Sequence, residues 1–188
     1  VVLTLVDSQF TNTQGYYSFT NVSPGEYYLK AALTPSSPDY AVFLPTYYDV
    51  SLFWDFATTV QLNANNSNRS WDIALVAGNN PGGPGFVSGN ISSGAGKNGF
   101  NLNGVNNIPI LLLDKNGDPV RYTYSDTDGN FELDDLAYGS YELHAEVLGK
   151  NTQRVNITLG PDQESVEGIQ LRIEEKQVIS NISETNHL

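Results

Sequence analysis

Two stretches 114 positions apart repeat one another without a gap, and this duplication constrains the fold more than any other feature of the sequence. GYYSFTNVSPGEYYLKA begins at Gly15 and GNFELDDLAYGSYELHA at Gly129. Gly15, Tyr17, Phe19, Val22, Gly25, Tyr27, Leu29 and Ala31 stand in register with Gly129, Phe131, Leu133, Leu136, Gly139, Tyr141, Leu143 and Ala145. Upstream, VVLTLVD ending at Asp7 matches IPILLLD ending at Asp114; downstream, WDIALV from Trp71 matches EGIQLR from Glu167. Self-similarity over such a span marks one structural module present twice. Between the copies lies AGNNPGGPG, whose glycines and prolines hold neither ladder nor helix and read as a linker. The expected organisation is a first module at 1–77 carrying an aromatic insertion at 34–57, a linker at 78–84, a second module at 85–175, and a tail at 176–188.

Inside each copy apolar residues alternate: Val1, Leu3, Leu5; Tyr17, Phe19; Tyr27, Leu29, Ala31; then Ile108, Ile110, Leu112; Phe131, Leu133; Tyr141, Leu143, Ala145. A period of two predicts half-buried strands, and no stretch has helical period. Turn chemistry separates the runs in VSPGE, DKNGDP and SDTDGN. The predicted class is all-β, two tandem β-sandwiches, the first lacking its own opening strand. The tyrosine in each Gly-x-Tyr, Tyr27 and Tyr141, suits a ring that closes the core while its hydroxyl bonds nearby backbone.

Nine basic against twenty-one acidic residues give a formal charge of −12, which repels nucleic-acid phosphates and anionic membrane surfaces. The absence of cysteine excludes a disulfide framework, a thiolate nucleophile and a cysteine-based metal site. No apolar run approaches the roughly 20 residues of a membrane span. The opening VVLTLVD lacks the basic flank and cleavage site of a signal peptide, so a mature or excised chain is expected.

The order V-x-G-x-I from Val87, an alternating strand ending in Asp114, and S-D-x-x-G-x-F-x-L-x-x-L-x-x-G-x-Y-x-L from Ser125 resembles the carboxypeptidase regulatory-like and Cna-B-like modules, whose pattern opens this last stretch with T-D. That resemblance implies a transthyretin-like sandwich and placement in secreted or surface proteins of bacteria, often in tandem. The first copy departs from the pattern: no opening strand, a shorter loop after Asp7, and the insertion. The LPTYY within that insertion, followed by a tryptophan, is similar to modules of secreted Bacteroidetes proteins. Cna-B relatives also imply a lysine–asparagine isopeptide bond, but neither FVSGNIS nor the tail from Gln177 carries a lysine.

QVISNIS from Gln177 reproduces the character of FVSGNIS from Phe86: Val178, Ser180 and Ile182 share a face as Val87, Gly89 and Ile91 do. The tail therefore matches the strand that the first module lacks. Three explanations follow: an excerpt of a longer array, a tail folded back on its own first module, or a tail that completes the first module of another copy. The last resembles Bacteroidetes pili built from paired transthyretin-like sandwiches, and it implies a head-to-tail filament subunit. The donor is Val178–Ser183, entering beside Val1, Leu3 and Leu5, with identical subunits as partners. The alternative is a spacer, adhesion or carbohydrate-binding pair within a larger secreted protein. Both readings place the chain outside the cell.

No enzymatic constellation is expected. His144 alternates with Leu143 and Ala145 and is assigned a solvent face, His187 closes the chain, and Asp134–Asp135 read as solvated carboxylates. No cofactor is expected apart from calcium, for which Asp114, Asn116, Asp118, Asp126 and Asp128 supply oxygens from two loops expected at one pole; the same residues also serve Asx turns. In the insertion, Tyr47, Tyr48 and Trp54 suit either a sugar-stacking platform, the private core of a long loop, or a subunit contact. Six Asn-x-Ser/Thr sequons, at Asn21, Asn65, Asn68, Asn90, Asn156 and Asn181, are candidate glycosylation sites.

Overall fold

The computed structural model describes residues 3–66, 68–93 and 105–174. In the first half six short strands occur: β1 (Gly25–Tyr27), β2 (Lys30–Ala31), β3 (Phe43–Leu44), β4 (Thr46–Tyr47), β5 (Val60–Leu62) and β6 (Val76–Ala77). They make three two-stranded ladders, β1–β5, β2–β4 and β3–β6. The second half holds β7 (Gly85–Ser93), β8 (Pro109–Asp114), β9 (Pro119–Tyr124), β10 (Asn130–Leu136), β11 (Gly139–Ala145), β12 (Asn151–Thr152), β13 (Arg154–Leu159) and β14 (Ser165–Glu174).

These last eight strands form two four-stranded sheets, β10-β7-β14-β12 and β13-β11-β8-β9. Only β7 and β14 run parallel; the other pairs are antiparallel. The alternation read from the sequence sets the faces. In β10, Phe131, Leu133 and Leu136 are buried while Glu132, Asp134 and Asp135 are exposed. Inward residues of both sheets, among them Val87, Ile91, Leu112, Leu143 and Leu171, meet in one apolar core. This is a β-sandwich, as the turn spacing predicts.

The two halves share local geometry in detail. Gly25↔Leu62, Glu26↔Gln61 and Tyr27↔Val60 pair in the same register as Gly139↔Leu159, Ser140↔Thr158 and Tyr141↔Ile157. Asn12 Oδ1 accepts from the backbone N–H of Gln14 and Tyr16, as Asp126 Oδ1 accepts from Asp128 and Asn130. Gly15 (φ 85°) and Gly129 (φ 81°) close those turns in the left-handed region that glycine alone enters freely. Asn21 (φ 59°) and Asp135 (φ 56°) share a second left-handed position.

Two expected strands of the first half do not form. Leu3–Val6 and Tyr17–Phe19 join no ladder among the described residues, and the reasons are topological. In the second half the counterparts of Lys30 and Ala31, His144 and Ala145, pair with Leu111 and Ile110 of β8. In the first half Lys30 and Ala31 pair instead with Tyr47 and Thr46 of the insertion. Leu3 lies against Gly149 of the second half, and Leu5 is 83% exposed. Tyr17–Phe19 is the counterpart of β10, an edge strand whose ladder partner is β7, and no described segment of the first half takes that place. The first half thus repeats the module's turns and one of its ladders but does not close two sheets as the second half does.

The connecting segment is bound rather than free. Asn79 N–H donates to Pro119 O (2.9 Å), Asn80 Nδ2 to Asp135 O (2.9 Å) and Gly83 N–H to Asp135 Oδ1 (3.2 Å).

Candidate functional site

β8 reads as an alternating strand, yet Pro109 to Leu113 are all buried. Ile110 and Leu112 face the sandwich core. Leu111 and Leu113 face outward and join Tyr122, Leu44 and Leu52 in a second apolar cluster, with Tyr40, Phe53, Val76 and Tyr124 packed around it. The aromatic insertion of the first half therefore covers the outer face of the sheet β13-β11-β8-β9. Uninterrupted Ile110–Leu113 was the signal available in the sequence, since a strand buried on both faces loses its alternation.

Glu146 pins this seam. It is 3% exposed, and its Oε1 accepts from Trp54 N–H (2.9 Å) and Tyr47 Oη–H (3.1 Å). Its Oε2 lies 3.5 Å from His144 Nε2. Trp54 Nε1 donates to Lys150 O (3.0 Å) and Tyr122 Oη to Tyr40 O (2.7 Å). Lys30 Nζ stands 4.5 Å from the centre of the Tyr47 ring, and the Arg154 guanidinium 5.3 Å from that of Phe53. Burial, reinforced by Glu146, raises the Tyr47 hydroxyl far above its ordinary value. Burial also raises Tyr122, with Tyr40 and Tyr124 adding to it, and pushes Tyr124 up to about 12. A small cleft of about 130 Å³ opens beside Trp54, His144, Glu146 and Arg154.

This seam corrects two expectations. His144 is not on a solvent face: its side chain is 12% exposed, because Phe53 stacks edge-on against it at 4.9 Å. Tyr47, one of the three sugar-stacking candidates, is 2% exposed and offers no free face, while Tyr48 and Trp54 are half-buried. The insertion is neither a free loop nor its own core; it is the contact between the halves. Glu146 itself carried no signal in the sequence, because its burial depends on a segment 92 positions away.

The five calcium candidates do not converge. Asp114, Asn116 and Asp118 belong to the turn before β9, and Asp126 and Asp128 to the turn after it, so a six-residue strand holds them apart; at about 3.3 Å per residue this is roughly 17 Å. The turns that enter and leave one strand necessarily lie at its opposite ends. Among the described residues no three carboxylate or histidine side chains gather as a metal would require. Each turn uses its first aspartate as an internal acceptor: Asp114 Oδ1 takes the N–H of Asn116 (2.8 Å) and Asp118 (2.9 Å). The N–H donors of Asp118 and Asn130, foremost among several, hold Asp114 and Asp126 below the usual carboxylate value.

Of the sequons, Asn21, Asn65, Asn68 and Asn156 are exposed. Asn90 donates its amide to Asp128 O (2.8 Å) and Asn130 Oδ1 (3.0 Å), and its Ser92 is buried. Asn181 lies outside the described residues, as do Val178, Ser180, Ile182, Val1 and His187.

The seat of the opening strand is visible in the second half, where β7 lies between β10 and β14. Their counterparts in the first half are the stretches from Tyr16 and from Trp71. In the closed half this seat lies in the sheet opposite β8, the counterpart of Leu3–Val6. Tyr17 donates its hydroxyl to the Trp71 carbonyl, linking the two stretches. Burial, then Asp72 and Tyr48, raises Tyr17 above its ordinary value. Leu5, Val6, Phe10 and Tyr16 are 63–85% exposed, an unusual apolar display.

Comparison with known proteins bears on this architecture. A family model described as carboxypeptidase regulatory-like domain matches residues 93–172. Colossin-A of Dictyostelium discoideum is 29% identical over 162 residues, which are 86% of this chain and 1% of that protein. Among solved structures, the major pilin subunit BcpA of Bacillus cereus aligns over 53% of this chain and 31% of its own, at 15% identity and TM-score 0.38. The minor pilin GBS52 of Streptococcus agalactiae aligns over 88% and 67%, at 15% identity and TM-score 0.36. Among the described residues no helix is long and apolar enough to cross a membrane.

Proposed function

We propose that this chain is an extracellular, non-enzymatic structural subunit whose first half is completed by a strand from another copy, the segment Val178–Ser183, so that copies join head to tail. One observation carries this reading: in the closed half β7 sits between β10 and β14, and a second segment of its pattern stands at 177–183. An open position between two strand-forming stretches leaves unpaired backbone groups and apolar side chains in water. Filling it buries two aliphatic side chains, worth about 1.5–3 kcal/mol each. The match of 93–172 to a regulatory-like rather than a catalytic domain supports a role without chemistry.

A second reading is favoured by the colossin-A match, in which most of this chain corresponds to 1% of a very long protein. There the chain is a spacer pair in an extended array, and the opening strand belongs to the same polypeptide. Electron microscopy of the purified chain separates the two. Filaments that vanish when Lys176–Leu188 is deleted are the expected result. Filaments that persist unchanged overturn strand donation, and monomers with and without the tail favour the array.

A further inference from the structure

We propose that the parallel pair of β7 and β14 is a load-bearing clamp, which holds the second half closed when the polypeptide is pulled from its two sides. The proposal rests on the reading of the chain as a structural subunit, in either of the forms above, since a filament and a spacer array both carry tension along the polypeptide.

β7 and β14 are the first and last strands of the sandwich and, among the described residues, its one parallel pair. Tension enters the sandwich at the start of β7 and leaves it at the end of β14. Because the pair is parallel, those two points lie at opposite ends of one ladder. The pull then runs along the two strands in opposite senses, and the rungs are loaded together and must slip together. In an antiparallel pair such as β8 and β9, where Pro109 stands opposite Tyr124, entry and exit share one end and the ladder opens rung by rung.

The ladder is long and sheltered. It runs from Ser165↔Phe86 to Ile173↔Ser93 with one irregularity, between Val166 and Ile169, and Phe86 N–H donates to Glu164 O at 3.0 Å where it begins. β7 lies inside its sheet, between β10 and β14. Val87, Ile91 and Leu171, on the core face, are 0% exposed, so water that would replace a breaking rung has no approach from that side. At Gly89 the two backbones press together: a Cβ there would stand 2.3 Å from Ile169 O, and only a glycine lets β14 lie this close. Neither strand contains a cysteine or a lysine, so no disulfide or lysine cross-link shares the load.

The fastenings ahead of the clamp are weaker. Asn80 and Gly83 each hold the connecting segment to Asp135 by one hydrogen bond. These bonds yield singly and pass the tension on to Gly85.

The chain has no cysteine, so introduced pairs define the points of pull. Pro84, Ser93, Ser165 and Arg172 are exposed and stand at or near the ends of the two strands. Full-length chains with Pro84→Cys and Arg172→Cys, or with Ser93→Cys and Ser165→Cys, are pulled across the diagonal of the ladder. Chains with Pro84→Cys and Ser165→Cys, or with Ser93→Cys and Arg172→Cys, are pulled at one end. Each substitution occurs once in each geometry, so any stability lost to a handle weighs on both alike. In single-molecule force spectroscopy the diagonal pairs are expected to rupture at a force roughly 2- to 5-fold higher, because forced unfolding is set by the unfolding barrier, which rungs loaded together raise more than rungs loaded in turn. Equal forces in the two geometries overturn the clamp and leave strand donation and the array to be decided by microscopy. Chains that resist on the diagonal but form no filaments keep the clamp and lose strand donation.

Discussion

Tyr27 and Tyr141 each donate their hydroxyl to the carbonyl four residues upstream, Ser23 O and Ala137 O, both at 2.7 Å. The same corner is built twice, in one half that closes as a sandwich and one that does not. Tyr141 is 8% exposed, while the Tyr27 bond lies in open surroundings. Removing the hydroxyl is expected to cost about 1 kcal/mol at Tyr141 and measurably less at Tyr27, where water replaces the lost partner. Urea unfolding of Tyr141→Phe and Tyr27→Phe checks this; equal losses would mean that the two corners are equally closed.

The duplicated elements were legible because they are local. A turn built by Asn12 or Asp126, a left-handed glycine, and a Gly-x-Tyr corner are each fixed by residues a few positions apart, and each appears where the repeat puts it. The seam was not legible, because it joins residues 82 to 99 positions apart. Alternation assigned His144 to solvent by default, since period-two reasoning sees one sheet and not what covers it. The insertion was recognisable as aromatic but not as the cover. Placing the calcium candidates at one pole ignored the six-residue strand between their turns, a topological constraint that the sequence already contained.

Glu146 gives the seam its most sensitive point. Glu146→Ala leaves the Tyr47 hydroxyl and the Trp54 N–H without an acceptor inside the contact, and an orphaned buried donor costs about 1–3 kcal/mol. Glu146→Gln retains a carbonyl acceptor and is expected to lose less. Denaturant unfolding followed by tryptophan fluorescence should rank the unaltered chain above Gln above Ala. A Glu146→Ala chain as stable as the Gln variant would contradict the assignment of both bonds to this carboxylate.

Neighbouring leucines test whether β8 is buried on both faces. Leu112 is 0% and Leu113 1% exposed, one against the core and the other against the insertion. Each truncation to alanine is expected to cost about 2–5 kcal/mol. A strand with one solvent face would instead show the usual small effect of surface substitution, within about 0.5 kcal/mol, at Leu113. Such a value would show that the seam opens in solution.

Tyr124, pushed up to about 12 by burial and by Tyr40, makes the seam sensitive to alkali. A folded value above the unfolded one, about 10, stabilises fully below pH 10, and that contribution fades as the pH rises through 10 to 12. Melting temperatures across this range should therefore fall for the unaltered chain, and absorbance should show a set of tyrosines ionising only as the fold opens. Tyr124→Phe is expected to flatten the decline. A decline of the same steepness would place the alkaline sensitivity elsewhere.

Asp114 and Asp126 set the opposite flank. Backbone donors depress both carboxyls in the folded chain, so their contribution is present above the unfolded value, about 3.9, and is lost as the pH falls through the lower folded one. Stability should therefore drop below about pH 4. Asparagine keeps the side-chain oxygen that accepts the turn's N–H groups but cannot titrate, and the first half already uses it, since Asn12 makes the Asp126 contacts unaided by charge. Asp126→Asn is thus expected to fold with its turn intact, to be slightly less stable at neutral pH, and to show a shallower acid decline. Melting curves from pH 2 to 7 decide: an acid flank unchanged by both Asp114→Asn and Asp126→Asn would mean that neither turn holds its aspartate more firmly as an anion than as an acid.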